Sequence, residues 1–336
     1  MSRIPTRVLV IRAGQLGDTV CASSIIEPLR HMFGTDVVVD WVAKAGIGRI
    51  FSSDPRIHRI FELDSRRAPF PFNAGKRAIV GVSWRQPYDL AVNMELGPMF
   101  NTVMRLVRAK RKIGMPFRHF TEPAENHAVE NLRLIYRSFM DEHSLRLAEP
   151  NLIGTPEQSV RERYPLADRY VVLVPSNSHH QLPPEKNYRN WPVQHWRRLI
   201  AQLAKKERQV VIVGGASEAE YFEHLKPWPD NVLDLVGKTA FPDLVGVLAH
   251  ADAVVTTDTG PAHIAGAVGV PVLTLIGPTN PKRTAPYNTE HNAVRIISAD
   301  LPCSPCYHTQ RFAECPKNQC MHDIAPDAII QALDAI

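Results

Sequence analysis

No run of about 18 apolar residues occurs in this sequence, which argues against a membrane-spanning helix. The opening, MSRIPTRVLVIRAG, is too polar and its apolar part too short for a secretory signal, so the expectation is a cytoplasmic chain. G-x-G-x-x-G is absent, which counts against a nicotinamide oxidoreductase. No internal repeat at a solenoid period is found. Cysteine is scarce, five in 336 residues, and a cytosolic chain has little need of disulfides. Carboxylates are short in one half only. Residues 1–150 carry 22 Lys/Arg against 15 Asp/Glu, a surplus of seven positive charges, whereas the remainder carries 17 against 19. A basic first half favours an acidic partner there: an anionic membrane surface, a phosphorylated substrate or nucleic acid.

What is present is apolar patterning on an α/β plan. Hydrophobic residues make up 44% of the chain, enough for a sizeable core. The length suggests two domains, at about 100–200 residues each. The organising stretch is residues 251–279, ADAVVTTDTGPAHIAGAVGVPVLTLIGPT. Residues 253–256 read as a buried strand. The chain then turns at Asp258-Thr259-Gly260-Pro261, where Gly260 permits a tight backbone path and Pro261 suits a helix start. A helix through His263, Ala265 and Ala267 follows, and residues 272–276 form the next strand. Unpaired amides and the dipole at the head of such a helix attract an anion, which places a phosphate-bearing ligand beside Thr259, Gly260 and His263. An ordinary capped helix offers the same amides, so the turn alone does not separate the two readings.

The same plan recurs along the chain. A strand over 7–11 runs into Arg12-Ala13-Gly14-Gln15-Leu16-Gly17-Asp18, then a helix over 19–32. Gly14 and Gly17 let the backbone approach a ligand, and Asp18 suits either an N-cap or a general base. Strands are predicted over 36–42, 57–63 and 88–93, with a short helix at 45–51. A helix over 101–109, a strand at 113–115 and a helix over 127–142 complete the half. Arg66 and Arg67, beside Pro69-Phe70-Pro71-Phe72, and nearby Lys76 belong to a loop that is either solvated surface or a contact for an acceptor or membrane. Residues 145–165, with Pro150, Pro156 and Pro165, read as a linker. Strands at 171–174, 209–213 and 232–235, helices at 191–205 and 241–249, and a polar loop over 176–188 containing Pro183-Pro184 lead into the organising stretch. Residues 327–336 form a last helix. Two such runs point to two doubly wound domains facing across a cleft, with Asp18, Glu218 and Asp258 on the strand ends where ligands bind.

In these segments the sequence resembles glycosyltransferase family 9, the heptosyltransferases of lipopolysaccharide core assembly. VLVIRAGQLGDTVCASSIIEPLR, YDLAVNMELGPMF, RKIG, GGASE and the long block from LVGKTAF to GPTNP match the family in order over essentially the whole chain. DTGPAH is the most specific part, and the chain looks nearer the second-heptosyltransferase branch. The resemblance implies a GT-B fold of two Rossmann-like domains, 1–155 for the acceptor and 156–324 for the nucleotide sugar, with 325–336 packing back toward the first. It implies an inverting, metal-independent enzyme moving a heptose from ADP-heptose to an anionic, lipid-linked core acceptor. Such an enzyme would be peripheral at the inner face of the cytoplasmic membrane and need no nucleic acid. By matched position Asp18 is the general base, and Asp258, Thr259, Gly260 and His263 form the donor-binding turn. Glu218 takes the ribose hydroxyls, and Lys238 and Thr239, with Gly237, cup the adenine. Gly17, Arg66, Arg67 and Lys76 are the candidates for acceptor contact. Where the family carries a lysine two residues before a Trp-Pro pair, this chain has Arg189 before Trp191-Pro192, with Lys186 three residues earlier; either cation can hold a diphosphate.

Four of the cysteines, Cys303, Cys306, Cys315 and Cys320, fall within eighteen residues. C-x-x-C with two further cysteines is compatible with a structural zinc site, although the gaps are irregular, and also with free thiols. Cys21 reads as a small buried hydrophobe. No cofactor is required for the implied transfer. The rival readings are the same fold with another nucleotide sugar and another surface polysaccharide, and a non-catalytic nucleotide-sugar-binding protein. The second would keep Glu218 and the Asp258 turn without needing Asp18.

Overall fold

Short β-branched runs such as Val8 to Ile11 and Val171 to Val174 are buried on both faces, as parallel sheets covered by helices require. A computed structural model of the protein describes residues 6–336 apart from 122, 124, 178, 183–185, 207 and 316, so Pro183 and Pro184 lie outside the described residues. The chain divides into two compact units, Met1–Ile153 and Gly154–Ile336.

The first unit contains β1 (Arg7–Ile11), β2 (Val38–Lys44), β3 (Ile57–Leu63), β4 (Tyr88–Asn93) and β5 (Ala109–Ile113). They form one parallel sheet in the order β3-β2-β1-β4-β5. Its helices are α1 (Leu16–Ala22), α2 (Ile26–Phe33), α3 (Ala74–Arg85), α4 (Asn101–Leu106), α5 (Ala128–Tyr136) and α6 (Glu142–Arg146). Leu9, Ile11, Val42, Tyr88 and Phe100 anchor one core cluster. Several expectations change, among them the helix over 101–109, which ends at Leu106, with Ala109 opening β5. The helix expected over 19–32 starts at Leu16 and breaks into α1 and α2 at a 3₁₀ turn, Ser23–Ile25. There the Ser23 and Ser24 hydroxyls donate to Val20 O and Cys21 O, each at 2.7 Å, competing with the helical ladder. The strand expected at 113–115 is β5 instead, ending where that strand was to begin. Its cations sit on a sheet edge, where charged side chains are tolerated.

The second unit contains β6 (Tyr170–Val174), β7 (Gln209–Ile212), β8 (Val232–Asp234), β9 (Ala253–Thr257), β10 (Val272–Leu275) and β11 (Val294–Ile297). The order is β11-β10-β9-β6-β7-β8, again parallel. The helices are α7 (Glu157–Arg163), α8 (Val193–Leu203), α9 (Ala219–Glu223), α10 (Phe241–Ala249), α11 (Gly260–Ala267), α12 (Pro281–Thr284), α13 (Gln310–Ala313), α14 (Gln319–His322) and α15 (Pro326–Asp334). The last helix, α15, packs on the second unit's own core. Ile329 and Leu333 complete a core with Trp191 and Trp196, and Asp327 pairs with Arg198 at 2.6 Å. Just before α15, Ile324 O accepts from Trp191 Nε1 at 2.9 Å. The apolar stripe of α8 thus gives the last helix a local partner.

In each sheet the strand order reverses once, between β1 and β4 and between β6 and β9. Open α/β sheets take ligands at the carboxyl ends of the strands flanking such a reversal.

Candidate functional site

The second unit's reversal point is built on the turn after β9. Asp258 is buried there. Its Oδ2 accepts from Thr279 Oγ1 at 2.7 Å and lies 3.5 Å from Thr284 Oγ1 and 3.6 Å from Arg189 Nε. The last distance makes an ion pair rather than a hydrogen bond, and Arg189 Nε has no hydrogen-bond partner among the described residues. The guanidinium carbon sits 5.4 Å from the Tyr188 ring centroid. Tyr188 in turn packs against His179, Tyr307 and Phe312. Burial and the nearby Arg189 charge lower the His179 pKa, so its ring favours the neutral form. Thr259 is the N-cap of α11 and makes no side-chain cap hydrogen bond, leaving the head of the helix uncapped from that side. Gly260 opens the helix and His263 is half-buried one turn in. Of the two candidate cations, Arg189 is the one brought to Asp258; Lys186 is exposed.

Glu218 closes the turn after β7. Gly215 N–H donates to its Oε2 at 2.6 Å, and His180 Nδ1 lies 3.7 Å from Oε1. Burial raises the Glu218 pKa above the usual carboxylate range, against the opposing pull of the Gly215 amide. Gly237 has φ of +69°, and its amide donates to Gly214 O at 2.9 Å. A Cβ at Gly237 would lie 3.0 Å from Ala216 Cα, so only glycine lets the 237–239 segment lie this close to the 214–218 turn. Thr239 is half-buried, while the exposed Lys238 turns its ammonium back onto Asp234 O at 2.7 Å.

The stretch after β6 went unnoticed in the sequence as a source of site residues. Buried Ser176 lies beside Glu218, His180 faces the same carboxylate, and His179 lies near Arg189 and Asp258. Buried Asn177 and Asn187 leave Nδ2 and Oδ1 respectively without partners among the described residues. Because β6 lies between β9 and β7, its carboxyl end joins the two turns. The polar stretch is visible in the sequence, but the strand order is not.

The cysteine segment supports this site from behind. Cys306 and Tyr307 amides both donate to Pro278 O at 2.9 Å, and Ser304 Oγ donates to Gly277 O at 2.6 Å. A Cβ at Gly277 would come within 3.0 Å of Cys320 Sγ. The segment therefore packs beneath the turn that presents Thr279 to Asp258. All four are free thiols, and Cys21 is buried. Burial, with neighbouring thiols adding to it, pushes Cys320 up to about 11. Among the described residues no group of three or more His, Cys, Asp or Glu side chains is placed to hold a metal ion.

The first unit's reversal point presents Asp18. It lies in the first turn of α1, not ahead of the helix: Gln15 N–H donates to Oδ2 at 2.9 Å and Arg12 Nη2 to Oδ1 at 2.8 Å. The carboxylate remains 40% exposed, so capping leaves it accessible. A Cβ at Gly14 would lie 2.6 Å from Asp18 Oδ2, so that position must stay bare. Gly17 is inside α1 rather than in the loop. Buried Glu95, at the end of β4, accepts from Ala13 N–H at 2.8 Å and lies 3.5 Å from Arg66 Nη1. Neither Glu95 nor Arg12 carries a local sequence signal that marks it. Arg67 is exposed. Lys76 is not an acceptor contact: it is 2% exposed, and its Nζ donates to Arg66 O, Ala68 O and Met99 O at 2.8, 2.9 and 2.8 Å. It holds the loop that carries Arg66 and Arg67.

Residues 102–316 match the model of glycosyltransferase family 9 (heptosyltransferase). The chain is 24% identical over 333 residues to lipopolysaccharide heptosyltransferase 1 of Escherichia coli O18:K1:H7 (strain RS218 / NMEC), covering 92% of this chain and 97% of that protein. The solved glycosyl transferase family 9 structure from Veillonella parvula DSM 2008 matches with a TM-score of 0.78 at 17% identity, over 99% of this chain and 98% of its own. E. coli heptosyltransferase WaaC with ADP matches with a TM-score of 0.72 at 20% identity, over 98% and 99%. These likenesses show a GT-B fold with two Rossmann-like domains.

Proposed function

The chain belongs to glycosyltransferase family 9, and from that premise we propose that it moves a heptose from ADP-heptose to a lipid-linked acceptor of the lipopolysaccharide core. The observation that carries the donor half is the turn at the head of α11, where buried Asp258 holds the Arg189 guanidinium. The α11 dipole and the Thr259 and Gly260 amides meet the diphosphate, and Arg189 adds a charge that can bind two oxygens. Glu218 accepts from the ribose hydroxyls, and the 237–239 segment lines the adenine. E. coli WaaC has been solved with ADP and with ADP-2-deoxy-2-fluoro heptose, which supports an ADP-linked donor.

The reaction is a single displacement with inversion. The acceptor hydroxyl oxygen attacks the anomeric carbon as the bond to the diphosphate breaks. Asp18 takes the hydroxyl proton, and ADP leaves with the bonding electron pair. Arg12 and the Gln15 amide fix the carboxylate while part of it stays accessible. General-base help of this kind contributes ~10²–10⁴-fold. The charge growing on ADP is met by fixed dipoles and Arg189, so the step draws on no metal. The enzyme works peripherally at the inner face of the cytoplasmic membrane, where the positive surplus of residues 1–150 suits an anionic acceptor. Among the described residues no helix is long and apolar enough to cross a membrane.

Calorimetry with ADP, UDP, TDP and NAD, followed by transfer from ADP-heptose to heptose-deficient core lipid, tests the reading. ADP is expected to bind at least ~10-fold more tightly than UDP or TDP, a difference of about 1.4 kcal/mol. Preference for UDP or TDP would keep the fold and replace the donor. ADP binding without transfer to any core acceptor would make the chain a nucleotide-sugar-binding protein.

A further inference from the structure

Residues 101–120 hold six Lys/Arg and no Asp/Glu. The structure sets five of them along the outer edge of the first sheet. Exposed Lys110 and Arg111 and half-buried Lys112 lie on β5, while exposed Arg105 and Arg108 stand at the end of α4 and just beyond it. Cations on an edge strand also prevent edge-to-edge pairing, and β5 alone would need no other explanation. The neighbouring apolar residues do. Trp84, at the end of α3, is 61% exposed, and Leu106 is 41% exposed. They are one patch, because Trp84 Nε1 donates to Leu106 O at 3.1 Å. The Arg108 guanidinium carbon lies 6.0 Å from the indole centroid, and Lys112 Nζ donates to Arg105 O at 3.1 Å. The nearest carboxylate on β4, Asp89, is already paired with Lys110 at 2.7 Å.

We propose that this patch, Trp84 and Leu106 ringed by Arg105, Arg108 and Lys112, docks the protein on an anionic lipid bilayer. Charge complementarity selects the partner, since cations near an anionic surface each add to attraction. The apolar part favours a bilayer over nucleic acid. An exposed indole and a leucine beside arginines suit the headgroup boundary, where aromatic rings and long cationic side chains settle. The indole N–H already has its acceptor, so the ring can leave water without stranding a donor. The inference rests on the proposed lipid-linked acceptor for its purpose, but its measurement is independent of that reading.

The test is co-sedimentation of the full chain with vesicles of phosphatidylcholine alone and with 30% phosphatidylglycerol, at low and high salt. The wild type is expected to bind only the anionic vesicles, and less at high salt. Arg105→Glu/Arg108→Glu and Trp84→Ser should each lower vesicle partitioning, the former at least ~10-fold. Arg197→Glu on α8 combined with Lys205→Glu just beyond it, with the same change in net charge, should bind as wild type does. Quenching of tryptophan emission by brominated lipid should be present in the wild type and lost in Trp84→Phe, a readout that does not depend on charge. Equal binding of the patch and α8 variants would overturn the proposal. So would binding to an RNA or DNA duplex, but not to vesicles, with the same patch dependence. Turnover on a detergent-dispersed core acceptor should be unchanged in the patch variants. Absence of that turnover in the wild type would sink the proposed reaction and leave the docking result standing.

Discussion

The two units place an aspartate at the same topological point, the carboxyl end of a strand at the sheet's reversal, and treat it in opposite ways. Asp18 keeps two-fifths of its side-chain surface open while Arg12 and the Gln15 amide hold it. Asp258 is buried, accepts from Thr279 and faces Arg189. An open carboxylate can reach a hydroxyl proton; a buried one turned onto its own neighbours serves to orient them. The pair teaches that an aspartate on a ligand-binding edge is not by itself a catalytic group. Its access to an outside atom decides between proton transfer and positioning.

Replacing each aspartate by its amide tests this division. Asp18→Asn keeps the size of the side chain and removes the base, so turnover should fall by at least ~100-fold while ADP affinity stays within twofold. Steady-state rates and calorimetry on the same preparation check both halves. Unchanged turnover would remove Asp18 from catalysis. Asp258→Asn has a smaller and different expected effect. It leaves an acceptor for Thr279 but no charge for Arg189, so ADP affinity should drop roughly tenfold, the scale of one ~1.5 kcal/mol charged contact. Arg189→Ala should lose a similar amount, and the double variant little more, because the two act as one unit. If Asp258→Asn instead abolished turnover with ADP affinity intact, Asp258 would be the reactive group and the comparison would collapse.

How much of this was legible depended on the range of the interaction. Local signals carried well: α10 spans Phe241–Ala249 as the apolar pattern predicts, and the glycine-rich turns after β1, β7 and β9 lie where their residues place them. Long-range pairings did not. The sequence offers no sign that β6 separates β9 from β7, and so none that Ser176, His179 and His180 lie between Glu218 and Asp258. Lys76 reads as a surface cation because its three carbonyl partners lie eight to 23 residues away in sequence. Glu95 is passed over because its use is to receive the Ala13 amide from another strand end. The break in the first helix follows from serine hydroxyls turning back on the backbone, a competition that apolar periodicity does not register.

Glu218 sharpens the comparison from a third position, because it is neither open like Asp18 nor engaged by a cation like Asp258. The Gly215 amide favours its ionised form, but burial opposes it and wins, so its pKa lies above the ordinary value of 4.5. The folded protein then holds that proton more tightly than the unfolded chain. Glu218 therefore contributes stability at low pH that is lost as pH rises from 4.5 through the raised folded value. Binding runs the other way. Accepting hydrogen bonds from two ribose hydroxyls needs the carboxylate, so ADP binding should weaken on acidification, starting at a higher pH than an ordinary glutamate would give. ADP titrates too, so the quantity to follow is the ratio of wild-type to Glu218→Gln affinity across pH 4.5 to 8. The amide accepts through one oxygen only and does not ionise. The ratio should be a few-fold, about 1 kcal/mol, at neutral pH and fall toward one in acid. A ratio constant across the range would show that the half-buried carboxylate caps its own turn and takes no part in holding the ribose.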